Sequence, residues 1–472
     1  MLFTSPVFLV FMLVVLAVAR TPLPWMSKKA FLLVASYYFY ASWNPLFVVL
    51  LAASTVVDFF AAILMGNAKS TGLRRLLLIV SLCANLGLLG VFKYAVFFSE
   101  SAEWVAYQFG WNFAAPGWSI VLPVGISFYT FQTLSYTIDV YRGKLAPTRN
   151  FVDFALYVSF FPQLVAGPIV RATGFLPQLL EPKRPHGRVL AWGVLLFIVG
   201  LFKKVYLADN IFAAVSAKAY SPGAALNAME AWAGTYAFAG QIYCDFSGYT
   251  DMAIAVALML GFKLPMNFAS PYGALGFSDF WRRWHVSLSS WLREYLYIPL
   301  GGNRKGLLRT QFNLSLTMLL GGLWHGANWT FVIWGGLHGV YLMAERLARR
   351  AFGELWKPTR PIRVLLILLT FHLVCFAWVF FRAEDLAHAS RVVQAMFGLG
   401  TGGGTVFGRW QGALACLAVG LLVLCHGVSR GKRVEDWVKW SGWKVAAIVA
   451  AVMLFLVLTT GGSGAAFIYF QF

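Results

Sequence analysis

Apolar runs recur along the whole of this 472-residue chain, many of them close to the 20 or so residues that a helix needs to cross a bilayer core at about 1.5 Å rise per residue. Only 12% of residues are charged, against roughly a quarter in soluble domains, so a water-soluble globule is excluded. Barrel strands would be shorter and would alternate in polarity. The sequence therefore predicts an all-α polytopic membrane protein with about eleven to thirteen membrane segments. With no fixed-period repeat and no long linker, one domain over 1–472 is the economical expectation.

The segments are expected at 1–19, as an out-and-back pair within 30–65 parted at Asn44 and Pro45, and at 76–98 and 118–141. Further ones are expected at 189–202, 231–260, 314–322, 331–344, 364–381, 414–424 and 445–458. Residues 151–169 are apolar but carry Pro162 and Gly167-Pro168, which predicts a broken or re-entrant segment. The net charge of +20 gathers in clusters between apolar stretches (Lys28 and Lys29, Arg74 and Arg75, Arg349 and Arg350, Arg430 to Arg433). That is the positive-inside pattern, which places the N-terminus outside; membrane lipids are the natural partners of such loops, and no nucleic acid is implied. Five scattered cysteines lack metal-site or redox spacing, so packed, unpaired thiols are expected, and no metal site.

Two stretches break the apolar pattern. The first, from Asp279 through Trp281, Arg282, Arg283, Trp284 and His285 to Arg304 and Lys305, interleaves aromatic rings with guanidinium groups. It suits an interfacial segment, serving either as surface anchor or as phosphate binder. The second contains Trp324, His325 and Asn328 directly after an apolar helix. An ionisable ring at membrane depth is costly and marks a functional site or polar pathway by default; if the stretch is helical, His325 and Asn328 share a face. His338 and His372 read as structural residues making interhelical hydrogen bonds, and His186, His388 and His426 carry little signal. Asp245, Ser247 and Asp251 interrupt the stretch 231–260, where ion pairing, capping of a broken helix and substrate binding all remain open.

These residues resemble the membrane-bound O-acyltransferases, within them the branch of bacterial alginate and exopolysaccharide O-acetylation. The resemblance rests on Tyr243 to Ile254 (YCDFSGYTDMAI), Phe280 to His285 (FWRRWH) and Gly321 to Asn328 (GGLWHGAN). Shorter matches run from Leu122 to Tyr129, Ile138 to Gly143, Ala166 to Pro168 and Trp378 to Ala383. It implies a helical bundle with broken helices and a central funnel or pore, His325 as the catalytic histidine and His285 as its polar companion. It further implies cytoplasmic acetyl-CoA as donor, no permanently bound cofactor, an extracytoplasmic polysaccharide as acceptor, periplasmic or membrane-anchored partner proteins, and a bacterial inner-membrane location. A histidine base suits acyl transfer to a poorly nucleophilic hydroxyl, and a second histidine suits orienting the thioester or stabilising the oxyanion. Arg282, Arg283, Arg304 and Lys305 suit coenzyme A phosphates, with Trp281, Trp284, Trp324, Asn328, Asp245 and Ser247 as further substrate contacts. The competing expectations are acyl or aminoacyl transfer to a lipid, teichoic acid or protein, and a transporter or flippase.

Overall fold

The computed structural model describes residues 1–353, 359–400, 402, 405–432, 434–460 and 467–468; Arg433 of the last basic cluster lies outside them. The described residues are helical or irregular, without strands. They divide into two compact units, Met1–Val194 with Ala253–Pro265, and Leu195–Met252 with Met266–Phe472. The helical runs Pro45–Asn67, Thr71–Gln108, Gly187–Ala219, Arg360–Arg382 and Arg409–Val428 are long and apolar enough to cross a membrane, and Pro6–Arg20 and Trp443–Thr459 are shorter apolar helices. The chain is thus an all-α, multi-pass membrane protein.

The first unit begins with α1 (Pro6–Arg20), α2 (Trp25–Ala41) and α3 (Pro45–Asn67). The break at Asn44 and Pro45 falls where the sequence puts it: Asn44 Oδ1 accepts the Leu46 N–H at 3.0 Å, and Pro45 needs no partner for an N–H in the first turn. α4 (Thr71–Leu89) runs through a π-turn into α5 (Ala95–Gln108), so this rod is longer than the expected 76–98. α6 (Ile126–Tyr141) is buried on nearly every side and is held by polar contacts. Asp58 accepts from Ser81 Oγ at 2.6 Å and Asn85 Nδ2 at 2.9 Å, while Thr133 Oγ1 donates to Asn85 Oδ1 at 3.0 Å. Lys29, expected in a cytoplasmic basic cluster, is instead buried in α2 and paired with Asp153 at 2.6 Å.

The expected segment 118–141 is corrected at its start, since helix begins only at Ile126. Pro116 and Pro123 remove N–H donors, and Gly125 takes φ +77°, a conformation that ends rather than propagates a helix. A Cβ on Gly125 would stand 2.6 Å from the Leu164 carbonyl oxygen. Gly125→Ala is therefore expected to cost about 1–3 kcal/mol through overpacking and left-handed strain, read as a lower unfolding temperature in detergent. Residues 151–169 are broken as expected, into α7 (Phe151–Ser159) and α8 (Phe161–Leu164) on either side of Phe160; α9 (Ala172–Phe175) and the start of α10 (Gly187–Leu201) follow.

In the second unit, α10 passes through a π-helix (Phe202–Phe212) into α11 (Ala213–Ala219). α12 (Ala228–Met259) opens on a capping box, with Asn227 Oδ1 accepting the Glu230 N–H and Glu230 Oε2 accepting the Asn227 N–H. It continues unbroken through the acids at 245 and 251, because lysines of the π-helix meet them: Lys203 pairs with Asp251 at 2.7 Å and Lys204 with Asp245 at 2.5 Å. Of the roles left open for these acids, ion pairing is observed and a cap on a broken helix is not. Short α13 (Phe277–Trp281) and α14 (Val286–Leu292) precede α15 (Gly306–His325) and α16 (Trp329–Phe352). α15 and α16 approach closely at Gly322 and Gly335, whose Cβ positions would each stand 2.3 Å from a carbonyl oxygen of the facing helix. α17 (Arg360–Arg382), α18 (Leu386–Met396), α19 (Arg409–Val428), α20 (Val434–Ser441) and α21 (Trp443–Thr459) complete the unit. The cysteines are unpaired, with Cys244 and Cys375 buried and Cys83 and Cys425 exposed, so the expectation that all pack inside is corrected for the last two.

Candidate active site

His325 is the last residue of α15, and its ring is 4% exposed. The helix ends there because Gly326 is extended (φ −156°, ψ 146°) and Asn328 starts α16, its Oδ1 accepting the Thr330 N–H at 3.0 Å. The expectation that His325 and Asn328 share a helix face is thereby corrected. Gly326 is required at the bend, since a Cβ would stand 2.1 Å from the Phe331 ring. Asn328 Nδ2 donates instead to the Glu384 carbonyl at 2.9 Å, fastening the bend to the segment after α17.

Four rings enclose His325. The centroids of Trp324 and Trp334 lie at 5.0 Å, Phe381 at 5.4 Å and His285 at 6.3 Å. His285 is fully buried and holds a left-handed backbone conformation (φ 43°, ψ 56°), which costs a non-glycine residue of order 1 kcal/mol and recurs at functional sites. Two backbone hydrogen bonds fix it there, Ala269 N to Arg283 O and Val286 N to Asn267 O, both 2.9 Å. Asn267 Oδ1 accepts from the Ser287 N–H at 3.2 Å and Ser287 Oγ at 2.9 Å, and lies 3.1 Å from His285 Nδ1. An atom that accepts a backbone N–H is an oxygen, so in the neutral ring Nδ1 carries the proton and Nε2 keeps its lone pair. Burial pushes the His285 pKa down to about 3, so the ring is neutral near physiological pH. Because the folded value lies below the ordinary 6.5 or so, this burial contributes stability in full above about pH 6.5 and loses it as pH falls from there toward 3. An unfolding series in detergent across that interval is expected to show the decline, and less of it in His285→Asn.

The remaining residues singled out in the sequence are dispersed. Trp284 is buried between Phe280, at 5.6 Å, and Trp378, at 5.0 Å; Trp281 stands 5.8 Å from Trp334 and 5.1 Å from His338. Arg283 is committed to structure, its Nε on Asp279 and its NH1 on the Ala269 carbonyl, both at 3.0 Å. Burial opposes ionisation of Asp279, but the Leu275 N–H, Arg283 and Arg430 outweigh it and hold this carboxyl below its ordinary range. Arg282 is exposed, and so are Arg304 and Lys305 at the head of α15. The 20 residues of α15 put about 30 Å between those two cations and His325. Asp245 is turned to Lys204, and Ser247 is buried nearby; between them Phe246 brings its ring within 4.8 Å of His285.

Sequence reasoning missed Asn267, Trp334 and Phe381, and it undervalued His338 and His426. His338 is fully buried against Trp334, at 4.8 Å, and neither of its nitrogens has a hydrogen-bond partner among the described residues. His426 accepts the Tyr272 N–H at 3.3 Å. His372, expected to bond between helices, bonds the Leu368 carbonyl of its own helix. Among the described residues no group of three or more His, Cys, Asp or Glu could hold a metal ion.

The candidate site is thus a buried pair of histidines, one at the end of a helix and one on a strained bend, in a multi-pass helical chain. The chain belongs to the membrane-bound O-acyltransferase family, whose model matches residues 144–383, and is a membrane acyltransferase. It is 40% identical to the peptidoglycan O-acetyltransferase of Helicobacter pylori, over 84% of this chain and 80% of that one. It is 43% identical to the probable alginate O-acetylase AlgI of Pseudomonas aeruginosa, over 84% and 75%. The teichoic acid D-alanyltransferase of Bacillus subtilis is 27% identical over 58% and 72%.

Proposed function

We propose that this protein is an O-acetyltransferase of the bacterial inner membrane that takes the acetyl group of cytoplasmic acetyl-CoA and delivers it, through a periplasmic or membrane-anchored partner protein or directly, to an extracytoplasmic polysaccharide. The observation that carries the reading is the His325–His285 pair enclosed by Trp324, Trp334 and Phe381. The relatives named for alginate and peptidoglycan O-acetylation, at 40 to 43% identity, support acetyl over the aminoacyl group of the 27% relative.

In this reading the acceptor oxygen attacks the thioester carbonyl, its proton passes to His325, the C–S bond breaks, and the thiolate leaves as coenzyme A thiol with that proton. General base catalysis of this kind contributes roughly 10² to 10⁴ in rate. His285 has no proton to give from Nε2 while Nδ1–H is held by Asn267, so its part is to accept a hydrogen bond, orienting the nucleophile or the base; the oxyanion role falls to another donor. The buried indole N–H of Trp334 is the candidate, having no hydrogen-bond partner among the described residues. The cations at Arg304, Lys305 and Arg282 would steer the coenzyme phosphates at the mouth; at about 30 Å from His325 along α15, Arg304 and Lys305 act on entry more than on the bound thioester.

The test is release of coenzyme A from labelled acetyl-CoA by the purified protein in nanodiscs, with acceptor glycan and partner supplied; no turnover there would sink the donor assignment. Asn267→Leu is expected to lower kcat by about ten- to a hundredfold, the worth of one to two charge-assisted or buried hydrogen bonds, with little change in the KM for acetyl-CoA. A KM effect alone would mean that Asn267 does not act through His285.

A further inference from the structure

A cavity of about 230 Å3 lies between the turn after α11 and the helix α18, lined by Ser221, His388, Arg391 and Gln394 with backbone at Gly223 and Gly400. We propose that it is a saccharide subsite that takes a carboxylate-bearing sugar unit of the acceptor. The proposal rests on the reading that the acceptor is an extracytoplasmic polysaccharide, and four observations carry it.

The first is sidedness. In this unit α16 ends on Arg349 and Arg350, α17 starts at Arg360 and Arg363, and α19 ends before Arg430 and Lys432. Basic loops stay cytoplasmic, so the opposite ends of these helices, where the cavity lies, face outward. The second is proximity to His325. Asn328, three residues after the histidine, bonds the Glu384 carbonyl, and Phe381 packs on the His325 ring. The next residue, Arg382, lies over the Tyr220 ring at 5.6 Å, and Tyr220 is 5.9 Å from His388 in the cavity wall. One continuous layer of side chains thus joins the catalytic histidine to the cavity.

The third is that the walls are fixed. Glu230 accepts the N–H groups of Asn227 and Val406, Trp232 Nε1 donates to the Met396 carbonyl at 3.3 Å, and Asp385 caps α18 at the His388 N–H. The fourth is charge. Arg391 is exposed at the cavity and no described lining residue is acidic; a guanidinium fork matches a carboxylate with two parallel hydrogen bonds. Ser221 and Gln394 add a hydroxyl and an amide suited to sugar hydroxyls. The volume falls short of the roughly 300–1,000 Å3 that encloses a drug-sized ligand and suits a single ring.

The experiment titrates the full-length protein in nanodiscs with a short oligouronate and with a neutral glucan oligomer of equal length. The oligouronate is expected to bind more tightly than the neutral oligomer. Arg391→Gln should weaken it by about tenfold, a change of 1.4 kcal/mol, Arg391→Lys should weaken it less, and Ser221→Trp, which fills the cavity, should weaken both sugars. Equal affinity for the two oligomers, no oligouronate binding, or an Arg391→Gln affinity equal to wild type would overturn the proposal. So would loss of a protein partner's binding in Ser221→Trp with sugar binding intact. Coenzyme A release by the same wild-type preparation separates the two readings: sugar binding without turnover leaves the subsite standing and removes the donor assignment, and turnover without sugar binding does the reverse.

Discussion

Replacing His325 by Ala or Gln is expected to reduce coenzyme A release from acetyl-CoA by two to four orders of magnitude, the span that general base catalysis supplies, with the protein still folded. The ring sits at the end of α15, where the bend at Gly326 and the cap at Asn328 are made by other residues, so the site's backbone does not depend on it. Gln keeps part of the side-chain volume and a hydrogen-bonding end but cannot take a proton near neutral pH. The loss should appear in kcat and leave the KM for acetyl-CoA within a few fold, since the group acts on a proton in motion and not on the bound thioester. Unfolding temperature serves as the control. A variant that unfolds normally and keeps more than a tenth of wild-type turnover would remove His325 as the base and shift attention to the lone pair of His285.

Much of this site could be read in the sequence because cost makes it visible. A histidine after an apolar helix, flanked by glycines and Trp, has few cheap explanations in a membrane protein, and His285 stood out from an Arg- and Trp-rich segment for the same reason. What could not be read was orientation. For Asp245 and Asp251, ion pairing, capping and substrate binding stayed equally open in the sequence; the π-helix brings Lys203 and Lys204 to them, a contact set by an i+5 register that no hydrophobic period reports. Asn267 sits 18 residues before His285, in an irregular stretch that carries no pattern. Trp334 and Phe381 are aromatic residues in apolar helices, indistinguishable in sequence from packing until the helices place them around one ring. In the fold, punctuation was legible at Asn44-Pro45 and Pro162, whereas the late start of α6 depended on the sign of one φ angle at Gly125.

The ion cluster on the π-helix leads to the second large effect. Gly200 and Gly248 meet so closely that a Cβ on either would stand 2.6 Å from the other's carbonyl oxygen, and this crossing lets Lys204 reach α12. Its ammonium lies 2.5 Å from Asp245 and 2.9 Å from Asp209, with the three side chains 5%, 2% and 8% exposed. Asp245 also accepts the Ile468 N–H at 2.7 Å. Lys204→Met keeps the volume and removes the positive charge that faces both acids, leaving two buried carboxylates facing each other. Breaking a buried pair from one side costs about 3–5 kcal/mol, so unfolding in detergent should move down by several degrees and expression should fall. Asp245→Asn should cost less, because Lys204 retains Asp209 and the Ile468 N–H retains an acceptor. Adding Asp245→Asn to Lys204→Met should recover part of the loss, since one of the two stranded charges is then gone. Were Lys204→Met no worse than Asp245→Asn, with no recovery in the double variant, the cluster would be solvated and the substrate role for Asp245 would return as the better account.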